Sequence, residues 1–253
     1  MTILEVQNLN KHFGGIKAIN NCSFSIEKNS ITGLIGPNGA GKTTMFNILS
    51  GLLTPDSGSI YYQENDITNL NTHERTKLGF GRSFQSIRIF PELTTIENLI
   101  LAFPENNDNL WQAFSKFQTK QKSLHKKALE LLTSVNLEEK ANLKGYELSY
   151  GQKKLLEILR VEANNADLVL LDEPTAGINP TLIQNIKIQI KNLQKAGKTI
   201  FIVEHNMPFI MNLCEQIIVM DQGKEIAMGT PKEIQENPQV LVAYLGKKRQ
   251  THA

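Results

Sequence analysis

Residues 31–49 read ITGLIGPNGAGKTTMFNIL, and this stretch decides the fold class. A β-branched apolar segment, 31–35, leads into a glycine-rich segment, 36–41, and then into helix-compatible residues, 42–49. The spacing matches G-x-x-x-x-G-K-[ST], in which inward-turned backbone N–H groups and a helix N-terminus surround phosphate oxygens. The stretch therefore predicts a strand, a phosphate-binding loop and a helix, in that order.

The residues of this loop have expected roles in binding a nucleoside triphosphate. Lys42 is expected to reach the β- and γ-phosphates, and the Thr43 hydroxyl is expected to bind Mg²⁺. The expected cofactors are thus ATP and Mg²⁺. The predicted nucleotide-binding residues are Gly36, Pro37, Asn38, Gly39, Ala40, Gly41, Lys42, Thr43 and Thr44.

Two further apolar segments end in polar residues. Residues 168–171 precede Asp172 and Glu173, and residues 199–203 precede the segment that contains His205. Because ligands bind at the carboxyl edge of open α/β sheets, we expect these side chains at the phosphate site. Asp172 is suited to holding Mg²⁺ through water, Glu173 to polarising the attacking water, and His205 to contacting the γ-phosphate.

A helix start precedes the Asp172 strand by about twenty residues. It reads Leu148-Ser149-Tyr150-Gly151-Gln152, and Ser149 with Gln152 fits a capping box. An exposed helix N-terminus with Ser149 and the Gly151 amide is also an anion site. The residues alone leave both interpretations open.

Unbroken apolar strands alternate with helical stretches along the chain, which favours a mostly parallel sheet covered on both faces. We predict an α/β fold with a P-loop core, an N-terminal antiparallel β subdomain and an inserted helical subdomain. The expected single domain spans 1–247. Its core with the β subdomain comprises 1–86 and 165–230, its helical subdomain is 87–164, its C-terminal helical segment is 231–247, and a basic tail covers 248–253.

Composition excludes several classes of protein. The 253 residues carry 27 Lys and Arg against 25 Asp and Glu, so the formal net charge of +2 gives no footprint for nucleic acid. No apolar run approaches the roughly 18 residues of a membrane span, and the first residues lack a secretory signal. Cys22 and Cys214 are expected to be small packed residues, which favours a cytoplasmic compartment.

The ordered motifs together resemble the ATP-binding subunits of ABC transporters over nearly the whole chain. The resemblance implies that Leu148 to Gln152 is the signature sequence, His205 the switch histidine and Ala176 to Pro180 the D-loop region. It implies that Gln85 is the Q-loop glutamine, a catalytic and Mg²⁺-contacting residue. It also matches Phe13 to the aromatic that stacks on adenine, with core packing as the alternative.

A finer resemblance is to LivG-type ATPases of branched-chain and hydrophobic amino acid uptake, and a urea-uptake branch shares several of these features. Tyr150 stands where most signatures have glycine, and Glu162 lies in an unusual Arg160-to-Ala163 stretch. Tyr150 looks like a subfamily mark, and Glu162 is expected to affect packing but no phosphate. The resemblance is carried by Phe13–Gly15, Arg82–Phe90, Leu148–Gln152 and Asn237–Gly246.

The family resemblance implies how the chain works. Two ATPase subunits, two copies or two different chains, would sandwich two nucleotides, so that Ser149 and Gly151 of one complete the phosphate site of the other. The expected partners are two membrane permeases, a second ATPase and, indirectly, an extracytoplasmic binding protein, with the chain on the cytoplasmic face of the membrane. We expect the coupling surface at Ser86 to Glu97, and core packing or a partner contact for the aromatics of 111–117.

Three other functions stay open as alternatives to an amino acid importer. They are a urea or amide importer, an exporter ATPase, and a soluble ATPase that remodels a protein or nucleic-acid complex. The remodelling class often carries two cassettes or large added domains, whereas this chain has one set of motifs.

Overall fold

The computed structural model describes residues 1–82, 89–104 and 113–245; the side chains of 113–120 and of residue 245 are outside the description. The strands are β1 (Thr2–Phe13), β2 (Ile16–Glu27), β3 (Ile31–Ile35), β4 (Ser57–Tyr62), β5 (Asn65–Asp66), β6 (Phe80–Arg82), β7 (Leu168–Asp172), β8 (Thr199–Val203), β9 (Gln216–Asp221) and β10 (Lys224–Gly229). The helices are α1 (Lys42–Leu49), α2 (Thr72–Lys77), α3 (Thr95–Ile100), α4 (Ala113–Ser134), α5 (Tyr150–Ala163), α6 (Pro180–Lys195), α7 (Met207–Leu213), α8 (Pro231–Glu236) and α9 (Pro238–Leu245).

The strands form two sheets. An antiparallel sheet has the order β2-β1-β4-β5, and the second sheet has the order β10-β9-β3-β8-β7-β6. In the second sheet, β9, β3, β8, β7 and β6 pair in parallel, and only β10 is antiparallel to its neighbour β9. The predicted α/β class, with an N-terminal antiparallel sheet and a mostly parallel core sheet, is confirmed.

The parallel sheet is apolar on both faces, because successive side chains along each strand enter different cores. In β8, Ile200 and Ile202 join a core with α5, α6 and α7, whereas Phe201 and Val203 join a core with α1 and the antiparallel sheet. β3 is buried at all five positions, as are β7 and β8. Burial on both faces explains why these strands are uninterrupted apolar runs in the sequence.

Helices α3, α4 and α5 lie between β6 and β7 in the chain and pack against one another. Within residues 1–82, 89–104 and 113–245, no helix is long and apolar enough to cross a membrane. Cys22 and Cys214 are buried as expected, and burial raises the pKa of each thiol to about 12. The expected roles of Gln85 and Trp111 concern residues outside the described ranges.

Candidate functional site

Three neighbouring parallel strands bring the predicted site residues to one edge of the sheet. β8 lies between β3 and β7, and Val203 at its end pairs with Leu34 of β3 and with Asp172 of β7. The loop of Gly36–Gly41, the Asp172–Glu173 pair and His205 therefore follow adjacent strand ends. This is the carboxyl edge, where open α/β sheets bind ligands.

The loop after β3 has a shape that depends on glycine at both ends. Gly36 has φ +153°, and a Cβ there would lie 2.1 Å from the carbonyl oxygen of Met220. Gly41 has φ +102°, and a Cβ there would lie 2.4 Å from the carbonyl oxygen of Ala18. No side chain fits at either position, so the loop can keep this path only with both glycines.

Lys42 is the first residue of α1 and lies over this loop. Its side chain is buried, and Nζ donates hydrogen bonds to the carbonyl oxygens of Gly36 at 2.8 Å and Pro37 at 3.1 Å. Thr43 is exposed in the first turn of α1, a turn without acidic residues. A cation and a helix N-terminus thus face the same loop, which is the arrangement that binds phosphate.

Asp172 ends β7 and is buried. Burial raises the pKa of this carboxyl, and the charge of Glu173 raises it further. Arg82 and Lys154 act in the opposite direction on the same pKa. Arg82 lies in β6, where it pairs with Leu170 of β7, and its guanidinium lies 4.7 Å from the Phe46 ring centroid.

Glu173 and His205 contact each other directly. The Glu173 Oε1 atom lies 2.8 Å from Nε2 of His205, although the two residues follow different strands. Glu173 has a φ of +45°, and its N–H donates to the carbonyl oxygen of Val203 at 2.8 Å. A non-glycine residue with positive φ is uncommon, and such residues concentrate at functional sites.

Glu204 is a residue of this site that sequence patterns do not single out. Its side chain is 3% exposed, and it lies between β8 and His205. One carboxylate oxygen accepts hydrogen bonds from the N–H and hydroxyl of Thr175, and the other accepts from the N–H groups of His205 and Asn206. A charged residue directly after an apolar strand is the only signal the sequence offers for it.

The start of α5 forms the capping box that its sequence allows. Ser149 is the N-cap residue; its N–H donates to Oε1 of Gln152 at 2.9 Å, and its hydroxyl accepts from the Gln152 N–H at 3.4 Å. Tyr150 is 49% exposed, and its ring lies against Gly177. A Cβ built on Gly177 would lie 3.5 Å from Tyr150 Cε1, which is van der Waals contact. The start of α5 therefore contacts the loop that follows Glu173.

Phe13 ends β1 and is 45% exposed, so it is not a core aromatic. The Lys11 ammonium lies 5.7 Å from its ring centroid and 2.7 Å from Oδ1 of Asp56. An exposed aromatic ring is free to stack on a base. Gln85 follows β6, the neighbour of β7, and lies outside the described residues.

Two family models match this chain. The family model described as "ABC transporter" matches residues 19–176, and the model "Branched-chain amino acid ATP-binding cassette transporter" matches residues 224–249. The second match covers β10, α8 and α9, at the opposite end of the chain from the phosphate loop.

Curated relatives match over nearly the whole chain. The chain is 38% identical over 250 residues to the high-affinity branched-chain amino acid transport ATP-binding protein BraF of Pseudomonas aeruginosa, covering 97% of this chain and 98% of that protein. It is 37% identical to a probable branched-chain amino acid transport ATP-binding protein LivG of Archaeoglobus fulgidus, covering 97% and 96%. The similarity therefore extends far beyond the phosphate loop.

Solved structures of the same fold include an ATP-binding cassette of an ABC transporter in its ADP conformation. It shares 34% identity with this chain, with a TM-score of 0.84 and coverage of 97% of this chain and 99% of that one. A nucleotide-free ATP-binding cassette has 33% identity, a TM-score of 0.83 and coverage of 96% and 99%.

Proposed function

The chain belongs to the ABC transporter family of ATP-binding proteins, and we propose that it is the ATP-hydrolysing subunit of an importer for branched-chain or other hydrophobic amino acids. The observation that carries this proposal is the meeting of the phosphate loop, Asp172, Glu173 and His205 at one sheet edge. The names of the relatives supply the class of cargo, since this subunit has no part in binding the transported molecule.

ATP binds with its phosphates in the loop of Gly36–Gly41 and at the first turn of α1. Backbone N–H groups of the loop donate to the phosphate oxygens, and the Lys42 ammonium neutralises the β- and γ-phosphates. The exposed ring of Phe13 stacks on the adenine. Thr43 and Thr44 extend the same binding surface along α1.

The residues present fit Mg²⁺. This ion takes few protein ligands and keeps water and phosphate oxygens around it, which suits one hydroxyl and one carboxylate better than a cage of side chains. Thr43 offers an exposed hydroxyl, Asp172 a carboxylate, and Gln85 an amide oxygen in our assignment. In the described part of the chain, no group of three or more acidic, histidine or cysteine side chains forms a cage for metal. The ion supplies charge neutralisation on the transferred phosphoryl group.

Glu173 is the residue that orients the attacking water. Its Oε1 atom points to Nε2 of His205, so the pair offers one acceptor and one imidazole nitrogen at adjacent strand ends. Glu173 accepts a hydrogen bond from the water, and His205 contacts the γ-phosphate. Positioning and charge stabilisation dominate phosphoryl transfer, so small displacements of this pair are costly.

Ser149, Gly151 and Gln152 act on the nucleotide of a second ATPase subunit. The capping box uses Ser149 Oγ for the Gln152 N–H, and Ser149 and Tyr150 are exposed whereas Gly151 is buried. A phosphate from outside the chain would meet the helix N-terminus at Ser149. Two subunits thus enclose two nucleotides. Closure excludes water and strengthens the contacts to the phosphoryl group.

The remaining partners are two membrane permeases and, through them, an extracytoplasmic binding protein. No nucleic-acid partner is part of this proposal. Because no described helix spans a membrane, the subunit would be held at the cytoplasmic face by its permeases. The second ATPase is either a second copy of this chain or a related chain.

The coupling surface lies around the described part of Ser86–Glu97, which starts at residue 89. Phe90 is 49% exposed there. Asn98 is fully buried and fixes the backbone around Phe90: its Oδ1 accepts from the Phe90 N–H at 2.8 Å, and its Nδ2 donates to the carbonyl oxygens of Phe90 and Thr94 at 3.0 Å. An apolar side chain on a rigid loop suits a permease contact.

We also propose a division of the chain into three functional parts. In it, 1–86 and 165–230 bind nucleotide, 87–164 forms the helical subdomain that meets the permeases, and 231–247 is a C-terminal helical segment. The Glu162 side chain of α5 bonds to Gln189 of α6, which links the two parts.

Uptake assays with the wild-type chain and the Lys42→Ala variant test the proposed function. Cells that express the wild-type chain with its permeases should accumulate labelled leucine, and Lys42→Ala should lower both uptake and ATP turnover at least a hundredfold, because the phosphates lose their cation. Uptake of urea in place of leucine would move the proposal to an amide importer. Export of the cargo, or turnover without any transport, would favour the exporter or remodelling class.

A further inference from the structure

Two loops of the site are tied together by one buried side chain. The loop after β7 contains Thr175, and the loop after β8 contains His205. The N–H and hydroxyl of Thr175 donate to Oε1 of Glu204, the former at 2.8 Å. The N–H groups of His205 and Asn206 donate to Oε2 at 2.8 and 3.0 Å.

We propose that Glu204 is a positioning residue for ATP hydrolysis. By holding the loops that contain Glu173 and His205, it sets the position of Glu173 relative to His205. The inference rests on the proposed function, because it assigns Glu204 a task in the reaction of Glu173. Glu204 itself has no contact role with ATP, since both of its oxygens are occupied by Thr175, His205 and Asn206.

The chemistry of the four donors requires a carboxylate. Three of them are backbone N–H groups, and a buried N–H without an acceptor is costly. A glutamine in place of Glu204 would turn an NH₂ group either toward the N–H of Thr175 or toward the two N–H groups of His205 and Asn206. Either orientation leaves at least one backbone donor without its acceptor, so one loop must move.

Movement of either loop would displace the side chain of Glu173 or of His205, because these residues lie in the two loops. Glu173 is two residues before Thr175, and its positive φ of +45° is a conformation that persists only where the surroundings enforce it. His205 is adjacent to Glu204, and its N–H donates to the Glu204 carboxylate. A shift of the His205 backbone would therefore also move the imidazole. The 2.8 Å contact between Glu173 and His205 joins the two loops a second time, at the side chains.

Steady-state ATP titrations on the purified full chain with Mg²⁺ test this role. We expect Glu204→Gln to lower kcat at least tenfold and to change the KM for ATP less than threefold, because the phosphate loop lies after a different strand. Thr175→Val removes one donor and keeps the side-chain shape, so it should lower kcat severalfold. Thr175→Ser retains the hydroxyl and should restore kcat to within twofold of wild type.

The outcomes separate this inference from the proposed function. Wild-type kcat in Glu204→Gln, with Glu173→Gln inactive, would overturn the positioning role alone. Full turnover in Glu173→Gln would overturn the assignment of the base. A parallel loss of kcat and of Mg-ATP affinity in Glu204→Gln and Thr175→Val would make Glu204 a general support of the fold and would also overturn the inference. If Glu204→Gln does not fold, the Thr175→Val and Thr175→Ser pair decides by the same criteria.

Discussion

At the residue scale, the proposed mechanism depends on the 2.8 Å contact between Glu173 and His205. The two side chains follow neighbouring strands, and their loops are joined by buried hydrogen bonds to Glu204. This geometry puts an acceptor for water beside an imidazole at the sheet edge that carries the phosphate loop. The proposed mechanism is therefore sensitive to a displacement of this pair by about 1 Å.

Glu173→Gln should separate binding from hydrolysis. The amide keeps the shape of the side chain but is a far weaker acceptor, so Mg-ATP affinity should stay within about threefold while turnover falls at least about a hundredfold. Phosphate release and equilibrium nucleotide binding measure the two effects. The matched control is Glu139→Gln at an exposed position, which should leave both unchanged. Undiminished turnover in Glu173→Gln would exclude Glu173 as the base.

Glu162 gives a stability prediction with a defined pH dependence. Burial raises the pKa of this carboxyl above 4.5, and the hydrogen bond from Gln189 opposes that rise. The folded state thus holds the proton more tightly than the unfolded state, so stability falls as pH rises from about 4.5 through the raised value. We expected Glu162 to affect packing. In the structure its carboxylate also accepts a hydrogen bond from Gln189 of α6.

Glu162→Gln should remove this pH dependence. The neutral amide still accepts from Gln189, so the variant should have a higher free energy of unfolding than wild type at pH 8 and nearly the same value at pH 4. Denaturant unfolding at the two pH values measures the difference. Glu236→Gln at an exposed site is the control. A variant that is less stable than wild type at pH 8 would contradict this account of Glu162.

Sequence patterns predict residues whose chemistry has a fixed spacing, such as Lys42 and Thr43 after the glycines. They do not predict Glu204, because its partner Thr175 meets it only through the pairing of β7 with β8. A lone carboxylate near a histidine has no spacing rule that would mark it.

At the element scale, the C-terminal end of α1 depends on a buried cation of α2. Arg75 is 1% exposed, and its Nη1 atom donates to the carbonyl oxygens of Ile48 and Leu49 at 2.8 and 2.7 Å. Its Nη2 and Nε atoms donate to the carbonyl oxygens of Ile67, Thr68 and Leu70. Burial lowers the pKa of Arg75 to about 10, so the guanidinium remains charged at neutral pH.

Arg75→Leu should be strongly destabilising. The change removes a buried guanidinium donor from five carbonyl oxygens, of which those of Ile48 and Ile67 keep a backbone N–H donor. The free energy of unfolding should therefore fall by about 3 kcal/mol or more. The exposed Lys77→Leu on the same helix is the matched control, with an expected change within about 0.5 kcal/mol. Urea titration of both variants measures this. A similar stability for the two would show that α1 does not need the Arg75 contacts.

Elements with a strong apolar pattern are predictable from the sequence, and weakly patterned elements are not. The apolar run Ile31–Ile35 is β3 with the predicted bounds, and the helix predicted over 42–49 is α1. α2 and β6 are not predicted, because their sequences, THERTK and FGR, show no apolar periodicity. These short elements hold Arg75 and Arg82, which explains why sequence patterns did not identify either cation.

At the scale of the whole molecule, the order of strands creates the site. β3 and β7 are separated by more than a hundred residues in the chain, yet both pair with β8. Alternation of apolar strands and helices predicts a parallel sheet, but the position of β8 between the other two strands is a property of the tertiary fold. The resemblance to ABC transporter ATPases predicts roles for Gln85, Ser149 and Gly151, but this strand order is not among our predictions from the sequence.

The most direct test of the central claim is an affinity purification of this chain from gently solubilised native membranes, with mass spectrometry of the proteins recovered with it. An importer subunit should bring down two multi-span permeases and an ATPase partner, either a second copy or a related chain. Recovery only from the soluble fraction, without any membrane protein, would contradict the transport role and leave an ATPase of the remodelling class.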